Sequence, residues 1–280
     1  MFTFNVNITG SRTVDCKEFT NGHFKTLLKL NENNDDVALS KHFEKIVNDL
    51  VITKTKLNYV DKLIILLKLR EVCIKKTLEI VSEGTNSTVS MKFLIDKILE
   101  NYNDKTEKIY FEDNDIEIEI GFPLTIRNID NVYDKIHSIK IGDYKTDLHS
   151  LSEEEKDKIL EQIPSSYAKV LVKKFKNIQQ KPSLLFKYQS GKEQRDYYCT
   201  FEQEQNFSML KLCYGDSLKN FYYMEYICCS KLHIGLSDFL DRMTPVESKM
   251  HFDELIKEHN SKNQPKNQNQ MPSAGLGVGR

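Results

Sequence analysis

The chain has 280 residues, with 40 Lys plus Arg against 41 Asp plus Glu and a formal net charge of −1. That balance argues against a general electrostatic nucleic-acid binder, which carries a basic surplus. A hydrophobic share of 39%, with 15 Phe and 13 Tyr, is enough to build a core and excludes a wholly disordered chain.

No membrane span is expected. The longest apolar run, residues 63–67, falls far short of the ~20 residues a spanning helix needs. Residues 1–7 alternate instead of showing a basic start and an apolar stretch, so no leader is expected. The six cysteines, Cys16, Cys73, Cys199, Cys213, Cys228 and Cys229, form no CxxC pair and suit a reducing cytoplasm.

In chain order, Phe2, Phe4, Val6 and Ile8 alternate toward a Thr9-Gly10-Ser11 turn, which predicts a hairpin closed by residues 13–19. Two helices follow, one carrying Phe24, Leu27 and Leu28, the other Val37, Phe43, Ile46, Val47 and Leu50. The strongest helix covers residues 58–72, with Asn58 as its cap and Asp61 in the first turn. Its apolar residues run nearly all round, so it is expected at the centre, with Leu63, Leu66, Leu67 and Arg70 meeting other elements.

Alternation at 78–80 and 89–93 around Gly84 predicts a second hairpin, followed by a short helix over 95–102. Residues 108–111 and 116–120 read as strands, and the acids of 112–119 as a solvated strand face. Ser152 and Glu155 form a capping box for a helix stopping at Pro164. Another helix spans 165–179, and residues 184–188 and 197–201 flank Gly191 as a third hairpin. From Leu210 onward the pattern is helical, with Ser237 opening a short helix and Thr244-Pro245-Val246-Glu247 capping the last. The fold class is therefore α+β. A mixed hairpin-and-helix part (1–142) precedes a mainly helical part with one hairpin (143–260). A tail (261–280) is disordered or ordered by a partner.

Catalytic motifs are missing from the sequence. Gly275, Gly277 and Gly279 follow no strand and open no helix, so they make no phosphate cradle. Cys199, Cys213, Cys228, Cys229 and His233 lie close in sequence. The paired spacing of zinc ligands is absent, and buried apolar-like thiols account for them more simply. The stretch Lys169 to Lys187 holds six lysines and no acid, with Tyr167 just before it and Phe175 and Phe186 interleaved. It is the alternative reading, a nucleic-acid-binding module, against a plain solvated helix face.

Three stretches carry a family resemblance: LNYVDKLIILLKLREVCI (57–74), IKIGDYKTDLHSLSEEEKDKILEQIP (139–164) and DSLKNFYYMEYICCSKLHIGLSDFLDRMTPVE (216–247). In this order, after a segment like 2–30, they resemble the baseplate hub assembly proteins of T-even-type contractile-tailed bacteriophages. The last stretch also looks like those of phage tail assembly chaperones. A CxxC pair that some members carry after the first helix is absent from residues 78–93. No cofactor or metal is expected from the residues themselves. The resemblance implies a non-enzymatic protein of tail assembly, a hub component or a chaperone of hub subunits. It would contact other baseplate hub or tail proteins, possess the capacity to oligomerise, and act in the host cytoplasm during assembly or in the virion tail baseplate.

A contact surface is expected where aromatics exceed what one short helix needs for its own packing. Phe221, Tyr222, Tyr223 and Tyr226 are its candidates, with Leu236, Phe239, Leu240 and Met243 forming an adjoining apolar groove. Filling of the C-terminal core is the competing explanation for these aromatics.

Overall fold

The computed structural model describes residues 2–102, 106–126, 132–179, 183–200 and 203–263. It is an α+β fold with ten α-helices and ten strands among the described residues. β1 (Thr3–Ile8) and β2 (Arg12–Lys17) make the first hairpin, and α1 (Asn21–Glu32), α2 (Asp36–Leu50) and α3 (Tyr59–Cys73) follow. Val6 and Ile8 are buried, but Phe2 at the open end of the hairpin is exposed. Val37 also departs from the expected stripe: it lies in the first turn of α2 and faces solvent.

α3 is the centre of the larger core. It packs against α2, α4 (Met91–Asn101), α7 (Gln203–Tyr214) and β1, and Leu63 through Leu67 are all sealed. Its start is built from a reciprocal cap in which Asn58 Oδ1 accepts from Asp61 N and Asp61 Oδ2 accepts from Asn58 N. The same carboxylate, fully buried, accepts from Thr9 N and Thr9 Oγ1 and pairs with Arg12 Nη2 at 2.5 Å. One side chain thus ties the turn of the first hairpin to the central helix.

β3 (Thr77–Ser82) and β4 (Thr85–Ser90) pair through a two-residue Glu83-Gly84 loop, both at positive φ, the turn that suits a twisted hairpin. The expected strand stopped too late: Met91 and Phe93 belong to α4, whose N-cap Ser90 accepts from Phe93 N. β9 (Ser183–Ser190) and β10 (Glu193–Thr200) form the third hairpin, packed on β3, β4 and α4.

β5 (Glu107–Phe111), β6 (Ile116–Ile120), β7 (Ile136–Ile141) and β8 (Tyr144–Asp147) form an antiparallel meander. Ile116, Ile118 and Ile120 face inward, with Ile109, Ile136 and Ile139, onto Tyr167, Leu171 and Phe175 of α6 (Ser165–Gln179). These make a second apolar cluster, and α5 (Glu153–Leu160) starts at the expected Ser152–Glu155 box. The last two strands of this sheet, β7 and β8, are additional to those the sequence pattern predicts.

The remaining helices are α8 (Leu218–Ser230), α9 (Leu236–Asp241) and α10 (Pro245–Asn263). Gly235, not Ser237, precedes α9 as its N-cap. Thr244 and Glu247 cap α10 reciprocally as expected. The tail expected from 261 begins inside α10, and residues 264–280 lie outside the described residues.

Candidate functional site

α8 sorts its aromatics by face. Ser217 caps the helix and accepts from Asn220 N. Phe221 points inward, buried against the rings of Phe24 and Phe239 at centroid distances of 6.0 and 5.9 Å. Tyr222, Tyr223 and Tyr226 point outward and are 41%, 57% and 56% exposed. Tyr222 holds its ring under Lys25 Nζ, which also pairs with Glu225 at 2.6 Å. Tyr223 meets the edge of Phe252 of α10.

α9 divides likewise. Phe239 is sealed in the core, Leu240 and Met243 are half-buried against it, and Leu236 is 53% exposed. Asn21 fixes this segment: its Nδ2 donates to Phe239 O and Ser248 Oγ, and its backbone N–H to Met243 O. α1 and α9 come so close at Gly22 that an added Cβ would sit 3.0 Å from Leu240 O. Of the eight residues singled out from sequence, Phe221 and Phe239 are therefore core. Tyr222, Tyr223, Tyr226 and Leu236 are accessible, and Leu240 and Met243 pack half-buried against the core.

The lysine-rich stretch is organised differently from a base-stacking groove. Tyr167 and Phe175 are buried in the second cluster and Phe186 in the first, so the rings that would stack bases are packed inside. Lys174 pairs with Glu107, and Lys135 rests over the Phe175 ring.

Cysteine chemistry has little room here. Burial pushes the Cys213 and Cys73 thiols up to about 12 and Cys16 up to about 11, which keeps them protonated at neutral pH. Among the described residues no three His, Cys, Asp or Glu side chains converge as a metal site, and the Cys199 side chain lies outside them. No helix among the described residues is long and apolar enough to cross a membrane.

A concavity of about 810 Å³ opens where the end of α3, the α7–α8 turn, α8 and α10 meet. Arg70 lines it, only 7% exposed. Its Nε donates to Cys213 O near the end of α7, and Nη1 donates to Lys75 O at 2.6 Å and Thr77 O at 3.0 Å. A cation at a helix C-terminus satisfies carbonyls that the helix itself cannot. The apolar run of α3 made Arg70 legible as a contact residue; nothing in the sequence signalled the cavity beside it, which four separate segments enclose.

Comparison with known proteins gives one family. A family model described as T4 bacteriophage base plate protein matches residues 1–207. No curated protein and no solved structure matches the chain.

Proposed function

Because this chain belongs to the T4 bacteriophage base plate protein family, we propose that it acts in assembly of the baseplate hub, as a hub component or a chaperone of hub subunits, without enzymatic activity. A baseplate protein works by contact with its neighbours in the phage tail. The observation that carries the contact role is the outer face of α8, where three tyrosines stand exposed on a helix whose inner face is already packed. Tyrosine combines a rigid apolar ring with a polar tip, which makes it a favoured interface anchor. Leu236 adds apolar surface on α9. This face lies beyond residue 207, outside the span that matches the family.

The test is co-purification from phage-infected cells, with captured proteins identified by mass spectrometry. Tyr222→Ala and Tyr226→Ala should each lose the hub subunits while changing stability by less than about 1 kcal/mol, as exposed substitutions do. Retention of hub subunits by both variants would refute the surface. Capture of baseplate subunits other than those of the hub would refute the hub role.

A further inference from the structure

In the 810 Å³ concavity a largely buried charge is left with an unused donor. Arg70 has spent Nε and Nη1 on three backbone carbonyls, but Nη2 has no hydrogen-bond partner among the described residues. Among the described residues no carboxylate comes within ion-pair distance of the guanidinium, though the charges of Asp216 and Glu79 act on it from farther off, and Arg70 is only 7% exposed. Arginine stays charged in a protein, so the site carries a desolvated cation with one face of its donor fork open. Lys76 and Lys249 also line the cavity, against Asp216 and Asp253, while Lys75 and Glu79 pair with each other. Three cations then face two acids.

The rest of the wall is apolar and adaptable. Met250 is 60% exposed at the α10 side, and Met224 and Phe252 continue the surface inward. Methionine repacks readily around varied partners. The volume lies within the range of sites that enclose a drug-sized ligand and exceeds what a small inorganic anion requires.

We propose that this cavity docks a peptide segment of a partner protein by its acidic side chain. The carboxylate accepts from Arg70 Nη2, and an apolar neighbour in the same segment lies against Met250 and Phe252. The choice of a peptide as occupant rests on the reading of this chain as a contact protein. The site shares Tyr223 with the outer face of α8 but includes neither Tyr222 nor Tyr226, the two residues substituted in the co-purification test. Failure of the co-purification test and failure of this site are therefore separable.

The experiment titrates the full-length ¹⁵N-labelled chain with acetyl-Leu-Glu-Phe-amide, acetyl-Leu-Gln-Phe-amide and sodium acetate, followed by amide chemical shifts. The Glu peptide should shift the amides of Lys75, Lys76, Thr77, Gly215 and Asp216 with a Kd of about 1 mM, and the Gln peptide should bind about tenfold more weakly. Equal binding by the two peptides, or no binding by either, would overturn the proposal. Matching shifts from acetate would reduce the site to a simple anion site and overturn the peptide occupant. Arg70→Gln also strips three carbonyls of their donor, so the exposed Met250→Glu serves as the variant. It should leave the rest of the spectrum unchanged and weaken the Glu peptide about fivefold; undiminished affinity would count against the site.

Discussion

Asp61 shows how much one side chain can hold. Its two oxygens take donors from Asn58, Thr9 and Arg12, and none of its surface reaches water. Asp61→Ala would leave the Thr9 N–H unpaired and remove the α3 cap interaction. Arg12, 38% exposed on its side chain, could recover water. The expected loss is therefore about 2–3 kcal/mol, below that of a wholly buried pair, and denaturant unfolding would measure it. A loss under about 0.5 kcal/mol would show that the hairpin turn and helix are not coupled there. The local half of this arrangement was legible, because Asn58 and Asp61 announce a helix start by spacing alone. Its other half was not, since Thr9 and Arg12 reach Asp61 only after the chain has folded back across some fifty residues.

At the scale of elements, burial on one face decided what pattern reading could recover. α6 places Tyr167, Leu171 and Phe175 four residues apart, on the face that covers the sheet. Phe175→Ala should cost about 3–4 kcal/mol, the usual range for emptying an aromatic from a core, and thermal or urea unfolding would report it. A cost below about 1 kcal/mol would mean that α6 is only loosely seated and could present its aromatics after all. β7 escaped pattern reading for a structural reason. The register with β6 shifts between Glu119 and Ile120, and Ile136 and Ile139 are both buried despite a spacing of three. A bulge of this kind breaks the period of two on which strand recognition depends. The α8 stripe was visible as aromatic surplus, but sorting Phe221 inward and its tyrosine neighbours outward required α1, α9 and α10 to be in place.

For the whole molecule, three histidines bind separate parts into one response to acid. His23 and His42 lie on α1 and α2, and His42 Nε2 is buried without a hydrogen-bond partner among the described residues. His137 on β7 donates from Nε2 to Phe122 O at 2.6 Å, linking the meander to a loop whose ring packs in the larger core. Gly121 permits that approach, because an added Cβ would lie 2.6 Å from the imidazole. Burial lowers the pKa of all three. The charge of His42 and then that of Lys45 add to it at His23, Lys45 at His42 and Lys56 at His137. Against it work Asp49 and Asp241 at His23, a hydrogen bond with the His23 backbone and Asp49 at His42, and the hydrogen bond to Phe122 O with Glu119 and Asp147 at His137. The unfolded chain, with ordinary histidines near 6.5, therefore binds more protons than the fold between that value and the lowered ones. Their contribution to stability is complete above about pH 6.5 and is lost as pH falls toward the folded values. Urea midpoints should thus drop between about pH 7.5 and pH 5.5, a window above the carboxylate range. Replacing His137 by Gln, which can still donate to Phe122 O, should shrink the drop, since one titrating group has been removed. A midpoint that holds or rises on acidification would mean that these imidazoles gain water or a carboxylate partner in solution, and the coupling between the two cores would then have to rest on packing alone.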